Sequence, residues 1–190
     1  MCAQPVSHPL TLKARNHQTL VVERLSRTEP AALARFHDAL SPHSRGHFWP
    51  HAYDATTLDR LRERDACGND RIYVLQAGVE VVGYFFLWEF TDPVPVMGIG
   101  LADAWQGQGL GAPMIGVLVD DARATGRRGI DLTTATTNDR ALRLYQKVGF
   151  ILSGEIDNLS GDGRVTRERR MFLPLQPGAT PPVRDFKPPV

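Results

Sequence analysis

The sequence has few cysteines, no long apolar run and no excess of charge of one sign, and each shortage excludes a class of protein. Its two cysteines, Cys2 and Cys67, are too few for a disulfide framework. Its 22 basic and 21 acidic side chains leave a net charge of +1, which gives no global attraction to nucleic acid or to an anionic membrane. The longest apolar run, residues 81–88, is too short to span a bilayer.

The N-terminus also lacks the apolar core of a signal peptide, because Gln4, Ser7, His8 and Lys13 interrupt it. We therefore expect a cytoplasmic protein with neither a nucleic-acid nor a membrane partner. With 190 residues and ordinary apolar and charged fractions, the chain can bury a substantial core within one domain.

Periodicity and turn signals divide the chain into a flexible N-terminal arm (1–16), one domain (17–174) and a proline-rich C-terminal tail (175–190). The tail has no apolar period and is expected to be disordered or extended. Inside the domain the pattern predicts seven strands and four helices, with one β-α-β unit, which indicates a mixed α/β (α+β) fold. The predicted strands are 19–25, 71–76, 79–90, 97–101, 129–134, 150–157 and 165–173.

A glycine-rich turn, Gln106 to Ala112, separates a predicted strand from a predicted helix. Its three glycines carry no Cβ, and the helix that follows begins with unpaired N–H groups and the positive end of its dipole. Such a turn favours binding of a phosphate group. A Walker-type loop is excluded because Gly111-Ala112-Pro113 supplies neither the lysine nor the hydroxyl that this loop needs.

A dinucleotide fingerprint is the second interpretation of the turn. Gly107, Gly109 and Ala112 match its spacing, and Asp131 follows about twenty residues later. Asp131, however, lies near the start of its predicted strand, whereas the acid that binds ribose belongs at the end. The chain also lacks the repeated β-α units of a doubly wound sheet.

The third interpretation accounts for the most residues. The pattern Gln106-x-x-Gly109-x-Gly111 resembles the Q/R-x-x-G-x-G/A signature of the GNAT superfamily of acyl-coenzyme A-dependent N-acetyltransferases. About thirty residues later, the stretch from Asn138 to Phe150 resembles that family's N-x-x-A-x-x-x-Y-x-x-x-G-F. The order of strands and helices from residue 19 to residue 173 is similar as well.

This resemblance implies a central, mostly antiparallel mixed sheet of about seven strands with helices on both faces. It also implies acetyl-CoA as co-substrate, with no metal. The pantetheine arm would pair with the backbone of strand 97–101, and the pyrophosphate would meet the N–H groups of the turn. The residues so assigned to acetyl-CoA are Ile99, Gly100, Leu101, Gln106, Gly107, Gln108, Gly109, Leu110, Gly111, Ala112 and Asn138.

Glycines on one face of strand 97–101 give a physical reason for that placement. Side chains alternate along a strand, so Gly98 and Gly100 share a face that carries no side chain. That bare face would leave room for a thin arm running along the strand. The alternative is that these glycines serve only for packing.

Two residues are predicted to act in the chemistry. By resemblance, Tyr145 donates a proton to the departing thiolate, although a tyrosine on an apolar helix face is ordinarily a core residue. Many family members carry a carboxylate on the strand before the turn, where this chain has Val94 and Val96. Of the nearby acids we select Glu89 as the base, with deprotonation through water as the alternative.

A segment rich in histidine and aromatic residues, 41–53, is expected to form a loop beside the acceptor pocket, with Phe48, Trp49 and His51 as substrate-binding candidates. His43, His47 and His51 are spaced by four, but Gly46 and Pro50 argue against one helix. No cysteine or carboxylate completes a metal set there.

The predicted function is transfer of the acetyl group of acetyl-CoA to a primary amine of a small molecule or protein, by direct attack in a ternary complex. The alternative is an acyl-CoA-binding sensor or regulatory module without transfer activity. By resemblance, the edge strands near residues 150–173 also favour a homodimer.

Overall fold

The computed structural model describes residues 10–190 as an eight-stranded sheet with helices on both faces. Residues 1–9 of the predicted arm lie outside the described residues. The strands are β1 (Leu10–Lys13), β2 (Thr19–Arg24), β3 (Arg71–Ala77), β4 (Glu80–Trp88), β5 (Val96–Leu101), β6 (Gly129–Ala135), β7 (Ile151–Leu159) and β8 (Val165–Pro174). The helices are α1 (Pro30–Ala39), α2 (Pro42–His47), α3 (Ala55–Cys67), α4 (Gly111–Ala124) and α5 (Asp139–Val148).

The sheet order is β1-β2-β3-β4-β5-β6-β8-β7. Every neighbouring pair is antiparallel except β5 and β6, which are parallel and enclose α4 in the one β-α-β unit. β7 lies at the sheet edge and β8 lies inside the sheet. The charged run Arg167–Arg170 therefore belongs to an internal strand.

Each face of the sheet has its own apolar core, because side chains alternate between the two faces of a strand. Helices α4 and α5 pack on one face, which we call the α4 face; Phe85, Leu87 and Met97 point into its core. Helices α1 and α3 pack on the other, the α1 face, over Tyr84, Phe86 and Trp88 of β4. β4 is buried on both sides, which explains its nearly continuous apolar sequence.

The mixed α/β class and the mostly antiparallel sheet are confirmed, with eight strands where about seven were predicted. The extra strand is β1. Residues 10–13, assigned from the sequence to a flexible arm, pair antiparallel with β2. The predicted loop 41–53 contains the short helix α2, which starts with Pro42 after Ser41, whose side chain caps the N–H of Ser44. The longest helix, α4, has 14 residues, so no helix within 10–190 is long enough to cross a membrane.

A buried ion pair holds the sheet together where β5 and β6 meet. The Asp131 side chain on β6 is fully buried, and the guanidinium of Arg170 on β8 donates to both of its oxygens. The same guanidinium donates to the carbonyl of Pro182 in the C-terminal tail. Removing one partner of such a pair leaves a buried charge without compensation.

Replacing Arg170 with methionine should therefore lower the free energy of unfolding by about 3 kcal/mol, measured by urea denaturation at pH 7. Arg167→Met on the same strand is the matched control, because Arg167 is 58% exposed and its partners Glu155 and Asp157 are also exposed. Exposed ion pairs contribute little, so the control should change stability only slightly. Equal losses in the two variants would contradict the structural role of the buried pair.

Candidate functional site

The site is built around a gap between β5 and β6. Among the described residues, Val96 and Asp131 are the one pair that joins these parallel strands, and the strands separate beyond it. The N–H of Ala102 points to β4, whereas the carbonyl of Pro95 accepts from the N–H of Asp131 on β6. Because backbone groups alternate in direction along a strand, Ile99 and Leu101 direct their backbone groups into the gap.

The glycine turn follows β5 and closes the end of this gap. Gly107 and Gly109 have φ of +79° and +80°, in the left-handed region that favours glycine. Gly111 begins α4 and approaches Leu144 of α5 so closely that a Cβ would overlap its side chain. The first N–H groups of α4 have no partner within the helix and lie beside the turn, which suits an anion.

Two arginines that the sequence reading missed border the turn. The backbone N–H of Arg15 donates to the carbonyl of Gln108, and its side chain lies next to the Cα of Gly109. Arg140 on α5 donates to the side-chain oxygen of Gln106 at 3.1 Å. Both side chains are exposed, so they add positive charge where a phosphate would bind. Arg15 is positioned by the pairing of β1 with β2. The sequence reading missed this arginine because that pairing has no strong local signal in the sequence.

The face of β5 that carries Gly98 and Gly100 is not open. A Cβ at Gly98 would overlap the ring of Phe86, and one at Gly100 would overlap the ring of Phe48. The predicted channel over this face is therefore wrong, and the packing interpretation of the two glycines is the one the structure supports. An extended ligand has its room at the β6-facing edge of the strand instead.

A cavity of about 220 Å³ opens on the α1 face where β5 and β6 separate. Val96–Gly98 of β5 and 133–135 of β6 form its floor, and the segment that follows α2 forms one wall. Several aromatic rings belong to the lining, with Phe86 and Trp88 stacked at a centroid distance of 3.9 Å. The predicted candidates Phe48 and Trp49 both line this cavity.

Glu168 places a carboxylate in the wall of the cavity. It accepts hydrogen bonds from the side chains of Asn158 and Thr166, each at 3.1 Å. Thr166, Glu168 and Arg170 alternate along β8 and share the α1 face. The alternation is visible in the sequence, but which face meets a cavity depends on the tertiary fold. A carboxylate beside aromatic rings attracts a cation. The same cavity is also lined by the basic residues Arg45, Arg164 and Lys187, which oppose that attraction.

His51, the third predicted substrate-binding residue, is fully buried and does not line the cavity. Its Nδ1 donates to the carbonyl of Ala52 at 2.7 Å, so its Nε2 accepts from the hydroxyl of Tyr84 at 3.1 Å. Burial lowers the pKa of His51 to about 4, which keeps the ring neutral. With both nitrogens engaged, the ring supports the wall and offers no polar atom to a ligand.

His43 and His47 lie on one side of helix α2 with their rings edge to face, where a loop was predicted. The rings of His43 and His47 are 4.7 Å apart, as expected for positions i and i+4 of a helix. Within residues 10–190, no group of three or more metal-ligating side chains comes together.

Tyr145 lies on the α4 face and is 7% exposed, with its ring 5.8 Å from that of Phe150. Burial raises its pKa well above the usual range, and the carboxylate of Glu168 raises it further. The phenol therefore stays protonated at any physiological pH. The cavity and Tyr145 lie on opposite faces of the sheet, with the gap between β5 and β6 separating them.

Glu89 lies at the end of β4, outside the 220 Å³ cavity. Its side chain is 48% exposed, and one carboxylate oxygen accepts from Arg184 of the C-terminal tail at 2.9 Å. Its selection as the base stays a prediction.

Asn138 and Gln106 have structural roles in addition to the predicted ones. The Asn138 side chain caps α5 by accepting from the N–H of Ala141 at 3.1 Å. The Gln106 amide donates to the carbonyl of Leu101 and to the hydroxyl of Ser44, which ties the turn to β5 and α2. The binding roles predicted for both residues stay predictions.

Comparisons with known proteins agree with this geometry. The model of the Acetyltransferase (GNAT) family matches residues 32–150. A mycothiol acetyltransferase of Corynebacterium efficiens is 28% identical over 102 residues, which cover 53% of this chain and 34% of that protein. The chain thus spans about a third of the length of this curated relative.

Solved structures show the same fold at low sequence identity. RimJ of Mycobacterium smegmatis, in complex with CoA-disulfide, superposes with a TM-score of 0.71 at 17% identity and covers 87% of this chain and 86% of its own. Spermidine N-acetyltransferase of Vibrio cholerae, in complex with CoA and spermine, superposes with a TM-score of 0.64 at 21% identity. That match covers 82% of this chain and 95% of the other.

The buried ring of His51 should make stability depend on pH. Its pKa is lowered from 6.5 to about 4 on folding, so the unfolded chain binds a proton first as the pH falls. Stability from the neutral ring is present above pH 6.5 and is lost as the pH falls toward 4. Lowering the pH from 7 to 5 should therefore reduce the free energy of unfolding of the wild type by about 2 kcal/mol through His51 alone.

Urea denaturation at the two pH values gives the change in the free energy of unfolding for the wild type and for His51→Gln. The difference between these two changes is the contribution of His51. His43→Gln is the control, because His43 is exposed on α2 and should leave the pH dependence as in wild type. An unchanged pH dependence in His51→Gln would show that the buried ring is not the group responsible.

Proposed function

Because the chain belongs to the GNAT acetyltransferase family, we propose that it transfers the acetyl group of acetyl-CoA to a primary amine by direct attack in a ternary complex. The observation that carries this proposal is the gap between β5 and β6, which has an aromatic cavity on one side and the glycine turn at its end. The two substrates would meet in the gap, one on each side of the sheet.

The donor fits the gap and the turn. The backbone groups of Ile99 and the backbone N–H of Leu101, which face the gap, suit the amides of an extended pantetheine arm, which would pair as a strand does. The pyrophosphate would lie against the N–H groups of Gly107–Ala112 and the first turn of α4. Arg15 and Arg140 would add charge-assisted contacts to phosphate oxygens. Acetyl-CoA supplies the activated acetyl group as a thioester.

The acceptor fits the cavity. Aromatic walls suit the apolar part of an amine, and the carboxylate of Glu168 attracts its ammonium group. The cavity volume of about 220 Å³ suits a small amine or a single side chain. Among the solved neighbours, one is named a spermidine N-acetyltransferase, and we take polyamines as one class of acceptor to test.

Placement of the two substrates on opposite faces suits direct transfer. The amine nitrogen forms a bond to the thioester carbon from the α1 face, and the carbon–sulfur bond breaks toward the α4 face. A backbone N–H directed into the gap near Leu101 would stabilise the oxyanion. Tyr145 would give its proton to the departing thiolate, and the proton that the nitrogen loses as the amide forms would return to Tyr145 through water.

The raised pKa of Tyr145 is compatible with this role. A phenol is a weaker acid than a thiol in water, so transfer to a thiolate needs close positioning. The burial that raises the pKa of the phenol also raises that of a thiolate formed beside it, because desolvation penalises both anions. Proton transfer in a dry site therefore stays feasible.

The acceptor must lose a proton before it attacks. Glu89 is the proposed base, with deprotonation through water as the alternative. The carboxylate of Glu89 is paired with Arg184, and this ion pair must open for the carboxylate to take a proton from the amine. A homodimer is also proposed, with β7 as the edge strand available for pairing.

Substitution of Gly109 by alanine should weaken acetyl-CoA binding at least tenfold. The new side chain strains a backbone with φ of +80° and meets Arg15 where the pyrophosphate is proposed to lie. Calorimetric titration with acetyl-CoA, and with NAD as the rival ligand, measures the effect. Gly78→Ala at the β3–β4 turn is the control, since Gly78 has φ of +63° and no neighbour that a Cβ would meet. Binding of NAD alone by the wild type would overturn the proposed function.

Removing the hydroxyl of Tyr145 separates a catalyst from a sensor. Tyr145→Phe should lower kcat about a hundredfold or more and leave acetyl-CoA affinity unchanged, because only proton donation is lost. Release of thiol from acetyl-CoA with a panel of amines measures the rate. Tyr53→Phe is the control, since within residues 10–190 that buried hydroxyl has no hydrogen-bond partner. An unchanged rate in Tyr145→Phe would exclude this residue as the acid.

A further inference from the structure

The C-terminal tail supplies part of the acceptor cavity. Residues 182–188, which we call the strap, run in an extended conformation across the α1 face. Phe186, Lys187 and Pro188 line the same cavity as the strands and the α2 segment. The proline-rich composition that predicted a disordered or extended tail therefore does not prevent specific packing.

Two arginines fasten the strap to the sheet. Arg170 of β8 donates to the carbonyl of Pro182. Arg184 of the strap donates to the carboxylate of Glu89 at 2.9 Å and to the carbonyl of Val94. These contacts hold the strap beside the ends of β4 and β5, next to the point where β5 and β6 begin to separate.

Phe186 is the part of the strap buried most deeply. Its side chain is 5% exposed and lies beneath the guanidinium of Arg170, 5.3 Å from the ring centroid. Its carbonyl accepts from the N–H of Leu159 at 3.0 Å, and its backbone forms a short parallel bridge with Asn158 at the end of β7. The ring is therefore held in place by both backbone and side-chain contacts.

The Phe186 ring lies where its size can determine how large an acceptor the cavity holds. The rings of Phe86 and Trp88 belong to β4 in the centre of the sheet, where a change of size would disturb the core. Phe186 lines the cavity from a segment with no place in the sheet ladder beyond its single bridge. Its size can change the space in the cavity with less disturbance to the fold.

We propose that Phe186 sets the size of the acceptor that this enzyme accepts, and that the ion pair between Arg184 and Glu89 positions the strap that carries it. This inference rests on the proposed function, because it takes the cavity as the acceptor site. Arg184 is the positioning residue here, because it holds the strap through the carboxylate of Glu89 and the carbonyl of Val94.

The test compares acceptors of different size. Wild type is first assayed by thiol release with benzylamine, phenethylamine, tyramine, tryptamine and spermidine, and the smallest and largest amines it acetylates are kept. Phe186→Ala should raise the ratio of kcat/KM for the large over the small acceptor about tenfold, and Phe186→Trp should lower it. Val183→Ala is the matched control, because Val183 belongs to the strap and is fully exposed.

Acetyl-CoA affinity, measured by calorimetry, should stay unchanged in all three variants. Two outcomes would show that Phe186 serves folding alone and would overturn the proposal. In the first, kcat/KM falls by the same factor for both acceptors. In the second, Phe186→Ala and Phe186→Trp shift the ratio of kcat/KM for the large over the small acceptor in the same direction. Wild type that binds acetyl-CoA but acetylates none of the five amines would overturn the proposed function, and the inference with it.

The positioning role of the ion pair has its own readout. Arg184→Met should raise KM for the large and the small acceptor by different factors and should not lower kcat, because it loosens the strap and leaves the reacting groups in place. Equal changes of KM for the two acceptors, or no change of KM at all, would overturn the positioning role.

Discussion

The site depends on one constraint: β5 and β6 are each held firmly on their outer sides and joined to one another at a single residue pair. β5 pairs with β4 at six positions, and β6 pairs with β8 at seven. The strands cannot close the gap without losing these ladders, since each strand would have to swing away from its outer partner. The buried pair of Asp131 and Arg170 stabilises β6 at the point of divergence.

A gap inside a sheet leaves backbone polar groups without partners, which is costly when they are buried. The natural occupant is a chain that offers amides at strand spacing, and a pantetheine arm is one. The same opening connects the two faces of the sheet, each with its own core. The cavity on the α1 face and Tyr145 on the α4 face can therefore differ in polarity and exposure.

Local signals accounted for much of the fold and for part of the site. The glycine turn, the strands β3 and β4 and the helix α5 follow from turn chemistry, alternation and capping, which act over a few residues. Strand β1 was missed because four residues carry too little pattern, and its pairing with β2 decides its structure. The bare face of β5 was misread because Phe86 and Phe48, which cover it, come from a neighbouring strand and a distant segment.

The same limit explains the strap. Prolines restrict the unfolded chain, so a proline-rich segment loses less entropy on docking and a few contacts can hold it. Amino-acid composition therefore cannot distinguish a docked strap from a free tail. The contacts of one aromatic ring, Phe186, and one arginine, Arg184, dock this segment on the sheet. Both Glu168 and Phe186 lie outside residues 32–150, the part matched by the family model. The family model thus covers the glycine turn and Tyr145, but it ends before the β8 and strap residues that complete the wall of the cavity.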